Sequence, residues 1–435
     1  MRVGTSGDYP PYSASTGDGT LRGFDVESAQ AWARDRGHRL ELIAFRWPEL
    51  ESRLENGDFD VAMSGVTVRG DRLARSPMSS AVARTEAVLV TRAGAPRFDP
   101  SKGGAGLVVA VNRGGHMERV ARASLPRADI RPNDDNRSLA DLLARGAVDA
   151  VVVDAAELAS FYPDPEGQMP PIAAVLSRDR KAWWVSRKDP ALADDLDAWI
   201  TTREDDGTLP ALRVRWGIEP HDAPDAKSRL ADLVGRRLML MPLVAEAKRR
   251  AGLPVEDPAR ERTLEAAALA EARQLGIAEE PYRRFLREQI AAAKSVQRAT
   301  LGAGPAVPAA TSPGDGTGAA APPPPDLASD LRPAIEGIDA AIRDELARSA
   351  PLGEPSRTIL SAIEQDARVT GIARGDLRRL ADALAGIPAA SPAPSPAPVS
   401  APTQGSGPAP AAGHGPSAAG PPAAAAPVDA GAPMR

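Results

Sequence analysis

The chain has 435 residues, room for about two or three domains at roughly 150 residues each. Its 53 Lys and Arg stand against 58 Asp and Glu, and the formal net charge of −5 argues against nucleic-acid binding through overall charge. With no Cys and only four scattered His (His38, His116, His221, His414), disulfides, thiolate metal sites and cysteine nucleophiles are excluded and a histidine-rich metal centre is not expected.

Short apolar stretches at Arg2–Thr5, Arg39–Ile43, Phe59–Met63, Ala87–Thr91, Leu107–Val111, Ala150–Val153 and Ala182–Val185 read as strands. Helical spacing at Val26–Arg36, Trp47–Glu55, Met117–Ala123 and Ser138–Leu143 falls between many of them. This alternation predicts an α/β fold with mostly parallel sheets, and its length suits two lobes. All six Trp lie between Trp32 and Trp216, and beyond them only Tyr282 and Phe285 are aromatic, which places a domain boundary near Glu219–Pro224. After it, Ala226–Ala251, Asp257–Leu275, Glu279–Ala299, Asp330–Ala347, Ser356–Thr370 and Arg374–Ala385 carry apolar residues at helical spacing, so the second part is expected to be all-α. Residues 302–325 and 388–435 are nearly all Ala, Pro, Gly and Ser and read as a solvated linker and a disordered tail. The expected domains are therefore 1–219, 225–387 and the tail 388–435. No apolar run approaches the ~18 residues of a spanning helix, so membrane insertion is not expected. Met1-Arg2-Val3-Gly4 reads as the start of a strand without the regions of a secretory signal, which leaves a cytosolic chain and a mature or trimmed form both open.

In the helical part, Arg237 and Lys248 are eleven residues apart, close to the ~10.8 residues of three turns, and share a face with Leu230, Val234 and Met241. Asp257 reads as an N-cap before Pro258, with Arg260 and Glu261 in the opening turn, and Gln289 and Gln297 share a face of a later helix. Cations converging on a bundle core suit a small dicarboxylate; taken singly, each reads as a solvated charge snorkelling over apolar neighbours. The ordered set Leu233-Val234-x-x-Arg237-Leu238, Val244-Ala245-x-x-Lys248, Pro254-Val255-Glu256-Asp257-x-x-Arg260-Glu261 and Gln289-Ile290-x-x-x-Lys294-x-x-Gln297 resembles the all-helical chorismate mutases, especially their secreted subclass. Asp326-Leu327 and Arg332-Pro333-Ala334-Ile335 match the second half of that type. The resemblance implies that Arg237, Arg260 and Arg332 hold the two carboxylates of chorismate, with Asp257 at the same site. Lys248 and Gln297 would donate to the breaking ether oxygen, and Glu261 would accept from the ring hydroxyl. A Claisen rearrangement needs compaction and charge stabilisation rather than an acid, a base or a nucleophile, and cations and amides suit that task. Ala293 stands where Thr or Ser is expected. Gln297 stands where some secreted members carry Glu, so donation at neutral pH needs no protonated carboxyl.

In the α/β part, Thr5-Ser6-Gly7-Asp8-Tyr9-Pro10-Pro11-Tyr12, Gly23-Phe24-Asp25-Val26 and Phe59-Asp60-Val61-Ala62-Met63-Ser64-Gly65 resemble bacterial periplasmic solute-binding proteins of the amino-acid type, whose two lobes close on a ligand. Leu209–Gly217 looks like the C-terminal helix of that fold. Gly7-Asp8-Tyr9, Trp47-Pro48, Asn112-x-Gly114-Gly115 and Asp154-Ala155-x-Glu157 together resemble cyclohexadienyl dehydratase, which converts prephenate to phenylpyruvate or arogenate to phenylalanine. On that resemblance Thr67 and Arg72 clamp a carboxylate, Asp8, Trp47 and Asn112 shape the ring pocket, and Asp154 faces the amino group of arogenate. Glu157 is the general acid for the departing hydroxide, its pKa raised in a closed, dry cleft. Taken alone, Glu157 reads as a solvated charge favoured at a helix start, and Trp47 as a core aromatic. His116 and Val153 stand where Thr is expected, and Ser79–Ala83 lacks an expected aromatic.

The two resemblances concern consecutive steps and imply a bifunctional enzyme acting on chorismate and prephenate, possessing neither metal nor cofactor, in the periplasm with its signal removed. A homodimer through the helical domain is the expected assembly. The alternatives are an amino-acid-binding or sensor module fused to a mutase, and a non-catalytic assembly of both folds.

Overall fold

The computed structural model describes residues 1–92, 94–95, 97–161, 171–218, 226–303, 323–353, 356–367 and 372–391. The expected boundary at Glu219–Pro224 lies outside the described residues, as do 304–322 of the expected linker and 392–435 of the expected tail.

The first lobe holds β1 (Arg2–Thr5), β2 (Asp8–Tyr9), β3 (Ser13–Ser15), β4 (Leu21–Arg22), α1 (Phe24–Asp35), β5 (Glu41–Ala44), α2 (Leu50–Asn56), β6 (Val61–Ala62) and α3 (Gly70–Leu73). The chain then crosses on β7 (Ala83–Thr91) into the second lobe. That lobe holds β8 (Val108–Asn112), α4 (His116–Ser124), β9 (Asp129–Asn133), α5 (Leu139–Ala144), β10 (Ala150–Asp154) and α6 (Leu158–Phe161). It returns on β11 (Ile172–Lys181) to β12 (Trp184–Val185), α7 (Ala191–Asp205) and α8 (Thr208–Arg215). The first sheet runs β12-β6-β1-β5, with β1 parallel to β5 and β6 and only β12 antiparallel. The second runs β11-β7-β10-β8-β9. Here the expectation of mostly parallel strands needs correction: β7 and β11 are antiparallel, because they carry the chain out and back between lobes.

The second sheet is buried on both faces. Ala87, Leu89, Val109, Val111 and Val152 pack one way against α4, while Val88, Val90, Ala110, Val151 and Val153 pack the other way against α5. This is the period-two alternation of a strand with apolar residues on both sides. The expected strand Ala182–Val185 contains β12, whereas the ten-residue β11 lies outside the expected strands, its Ser177-Arg178-Asp179-Arg180-Lys181 run hiding a strand behind charge. Helix α7 also lies outside the expected elements.

The helical part comprises α9 (Ala226–Arg250), α10 (Pro258–Gln274), α11 (Glu279–Gly302), α12 (Arg332–Ser349), α13 (Ser356–Ala367) and α14 (Arg374–Ala385). It does not hang free of the lobes. Residues 1–393 form one compact unit, and a continuous apolar core runs from Val3 and Trp32 through Leu230 and Val234 to Ile387. At the junction α9 lies on α3 and on the segment before β7. Arg236 donates from Nη1 to the Met78 carbonyl (3.0 Å) and from Nη2 to the Ser79 carbonyl (2.8 Å), and from Nε to Asp232 (2.7 Å). Arg180, next to the end of β11, pairs with the same Asp232. Such a buried triad fixes orientation more than it adds net stability.

Gly70 is where the backbones approach most closely: a Cβ there would stand 2.4 Å from the Met239 carbonyl oxygen. Neither partner is a flexible side-chain end, so the helix-propensity gain of an alanine is outweighed by overpacking. Gly70→Ala is expected to lower stability by about 1–3 kcal/mol, measured by denaturant unfolding. An unchanged midpoint would mean that α3 and α9 do not meet in solution.

Candidate active sites

The first site forms where the lobes meet. Tyr9 from β2, Trp47 from the turn before α2, Gly65 and Thr67 after β6, Arg72 from α3, Asn112 at the end of β8, and Gly115, His116 and Met117 opening α4 line a cavity of about 20 Å³. The Arg72 Nη1 donates to the Thr67 carbonyl (2.9 Å), and its guanidinium carbon lies 5.4 Å from the Trp184 ring centroid. Its Nε is buried with no hydrogen-bond partner among the described residues. Burial, with Arg69 adding like charge, pulls its pKa down to about 9, which leaves the group cationic at neutral pH. A buried guanidinium with an unused donor and a cavity before it is suited to a carboxylate. Trp47 donates from Nε1 to Asp8 Oδ1 (3.1 Å) and meets Tyr9 and Phe45 edge-on, so it is both a core aromatic and a cavity wall.

Behind Tyr9 lies a buried polar network. The Tyr9 hydroxyl donates to Asp154 Oδ2 (2.9 Å), and Lys181 Nζ reaches Asp154 Oδ2 (2.8 Å) and Thr67 Oγ1 (2.8 Å). Asp154 caps a one-turn helix at Ala155–Glu157: its Oδ1 accepts from Ala156 N (2.9 Å), and Glu157 Oε2 accepts from Asp154 N (3.2 Å). The second Glu157 oxygen accepts from Asn136, whose amide also reaches the Asp8 carbonyl (3.3 Å) across the lobes. Glu157 is 0% exposed. Burial, then the charge of Asp154, pushes its carboxyl well above the usual carboxylate range. The reading of Glu157 as a solvated helix-start charge is thereby corrected: the capping box turns the side chain inward.

The second site lies in the helical part. Arg237 donates from Nε to Asp339 of α12 (2.7 Å), while its Nη1 is buried without a partner among the described residues. Gln297 Oε1 and Gln289 Nε2, both on α11, are buried in the same condition, and Gln297 Nε2 points at Met241 of α9 (3.7 Å to sulfur). Lys248 donates to the Val255 carbonyl (2.7 Å). Burial lowers its pKa; Arg260 and Arg332 act in the same sense, while Glu261 and Asp257 oppose them, so these five charges share one neighbourhood. Asp257 is the N-cap of α10, accepting from Arg260 N (3.0 Å), and the Arg260 side chain is exposed. Glu261 pairs with Lys294 (3.0 Å) and lines an open groove of about 310 Å³ between α10 and α11.

Residues 1–219 match the family model of bacterial extracellular solute-binding proteins, family 3, which is half of the chain. The chain belongs to that family. A second segment, residues 226–298, matches chorismate mutase type II. The cyclohexadienyl dehydratase of Pseudomonas aeruginosa is 29% identical over 229 residues, covering 50% of this chain and 82% of that protein. The L-cystine-binding protein TcyJ of Escherichia coli K12 is 26% identical over 218 residues, covering 50% of this chain and 82% of that protein. A solved ancestral amino acid-binding protein, AncCDT-1, described as a precursor of cyclohexadienyl dehydratase, is 26% identical with a TM-score of 0.46 over 50% of this chain and 94% of its own. This family 3 solute-binding protein is thus a fusion: a cyclohexadienyl dehydratase-like, two-lobed region is followed by a helical chorismate mutase domain.

Within the solute-binding fold, Trp47, Thr67, Arg72 and Asn112 line one cavity, while Asp8 stands behind Trp47, and Asp154 and Glu157 stand behind Tyr9. Asp154 does not face the cavity as an amino-group partner; Lys181 and Tyr9 hold it. Lys181, which bridges Asp154 and Thr67 beside this cavity, is the residue that sequence reading missed. Its one signal is a lysine closing a charged run immediately before Ala182-Trp183-Trp184-Val185, where a surface strand would turn inward. Among the described residues no helix is long and apolar enough to cross a membrane.

Proposed function

We propose that the chain is a bifunctional enzyme: the helical domain rearranges chorismate to prephenate, and the two-lobed domain converts prephenate to phenylpyruvate. The observation that carries the reading is Glu157, a fully buried carboxyl with a raised pKa, set behind the Tyr9 wall of the cavity that Arg72 and Thr67 line. A receptor needs no acid there. In the second reaction the bond from ring to carboxylate breaks and carbon dioxide departs, the bond's electrons complete the aromatic ring, and the hydroxyl leaves as water with a proton from Glu157. Hydroxide is a poor leaving group, so one placed acid supplies most of what aromatisation requires. Arg72 and Thr67 hold a carboxylate while the lobes keep water away. The cavity of about 20 Å³ is far below the roughly 300–1,000 Å³ of small-molecule clefts, so admission of substrate parts the lobes.

In the helical domain, Arg237, Arg260 and Arg332 bind the carboxylates of chorismate, Lys248 and Gln297 donate to its ether oxygen, and Glu261 accepts from its ring hydroxyl, with Asp257 at the same site. We assign the domains as 1–219 and 225–387 with a tail at 388–435, a periplasmic location in keeping with the extracellular family, and a homodimer through the helices. The test is incubation of purified protein with chorismate, following loss of chorismate and formation of phenylpyruvate. Both are expected. Accumulation of prephenate that aromatises only at its uncatalysed rate would remove the dehydratase and leave a ligand-binding module fused to a mutase.

A further inference from the structure

The two-lobed site holds a cation that the mechanism above does not use. Lys181, at the end of the returning strand β11, is 1% exposed. An ammonium has three donors and no acceptor, and all three are engaged: Asp154 Oδ2 at 2.8 Å, Thr67 Oγ1 at 2.8 Å and the Tyr9 hydroxyl at 3.2 Å. The rings of Tyr9 and Tyr12 flank it, with centroids 5.3 and 5.8 Å away.

Asp154 is filled in turn. Its Oδ2 takes Lys181 and the Tyr9 hydroxyl (2.9 Å), and its Oδ1 takes Ala156 N (2.9 Å) and the Thr85 hydroxyl. A carboxylate offers about four acceptor positions, so none is left for a ligand. Among the described residues no other acid takes its place in the cavity wall, which contains no carboxylate. The acids nearby point to other partners: Asp8 Oδ1 accepts from Trp47 Nε1 (3.1 Å), Asp179 lies against His116 (3.0 Å), and Glu51 pairs with Arg69 (3.0 Å). A ligand ammonium brought into this site would meet Arg72 and no carboxylate in the cavity wall. A ligand carbonyl would meet no such penalty.

We propose that Lys181 acts as a built-in ammonium that occupies the carboxylate an amino acid would need, and so makes the two-lobed site selective for 2-oxo acids over their 2-amino counterparts. The inference rests on the reading that this site takes a cyclohexadienyl dicarboxylate. It separates the two candidate substrates, because prephenate carries a 2-oxo side chain and arogenate a 2-amino one.

The test uses the full chain and has a kinetic and a binding arm. The wild type is expected to favour prephenate over arogenate by at least about 100-fold in kcat/KM, as sites lacking a partner for a buried polar group do. Lys181→Met, which frees Asp154, is expected to shrink that ratio at least about 10-fold through a gain with arogenate. Lys181→Arg, which keeps a cation there, is expected to retain the preference. In the binding arm, calorimetry should show the wild type binding phenylpyruvate and not L-phenylalanine, with L-phenylalanine binding gained in Lys181→Met. Comparable use of both substrates, or comparable binding of both products, by the wild type overturns the proposal, and this holds even if the Met variant does not fold. Comparable turnover of both leaves the dehydratase standing and sinks the selectivity. Selective binding of phenylpyruvate with no turnover of either substrate does the reverse.

Discussion

Glu157→Gln is expected to lower phenylpyruvate formation from prephenate by roughly 10²–10⁴-fold while chorismate is consumed at the parental rate. The factor is what a positioned acid contributes, the role proposed for this carboxyl. Its oxygens accept from Asp154 N and Asn136, which orients the group, and full burial with Asp154 alongside raises its pKa well above the usual carboxylate range. The pH dependence has a definite sign. Activity that needs the protonated form falls as pH rises through the raised value. Stability follows the same course: the folded chain retains a proton that the unfolded carboxyl releases near its ordinary 4.5, so this contribution is complete below 4.5 and is lost as pH rises through the folded-state value. Glutamine matches the shape and can still accept from Asn136, but its amide nitrogen meets the Asp154 N–H, so a stability loss of about 1 kcal/mol is expected. Prephenate should accumulate from chorismate, and the pH-dependent limb of activity should vanish in the variant. Phenylpyruvate produced at the parental rate would place the acid elsewhere.

The parts of the fold legible in the sequence were those set by local pattern. The strand Arg2–Thr5 and the helix Arg374–Ala385 match their expected bounds, and Asp257 caps its helix as the Asp-Pro pair implies. The cavity walls Trp47, Thr67, Arg72 and Asn112 were legible because each sits in a short motif beside a strand end. What escaped depends on chain segments meeting across the lobes. Lys181 and Asp154 are brought to 2.8 Å by the antiparallel crossing of β7 and β11, which no local period encodes. The junction escaped for a related reason. A helical-spacing argument assigns α9 one buried face, that of Arg237, yet Arg236 lies one residue away and is buried against Met78 and Ser79. A helix buried on several sides has a weak amphipathic signal, and its second face is visible only once the lobe it covers is present.

That two-faced helix gives the separation of activities its sharpest test. Arg237→Ala is expected to reduce chorismate consumption by roughly 10²–10³-fold, the usual loss when one preorganised charge-stabilising donor is removed. Supplied prephenate should still be dehydrated at the parental rate. Arg237 turns into the bundle, where its Nη1, Gln297 Oε1 and Gln289 Nε2 are buried polar atoms without partners among the described residues. Groups left unpaired in a core cost stability unless a ligand pairs them, and a dicarboxylate ether offers acceptors for the first and third. Arg237→Lys keeps the charge but not the planar fork, so it should recover only part of the rate. The alanine also leaves Asp339 without its 2.7 Å partner, a loss of about 1–3 kcal/mol that a thermal scan would register. The dehydration rate guards against misreading that loss. Because Arg236 on the same helix grips the lobe through Met78 and Ser79, a bundle that unfolded would disturb both sites together. Loss of chorismate turnover alone identifies Arg237 as a substrate-binding group; parallel loss of both activities identifies it as part of the scaffold.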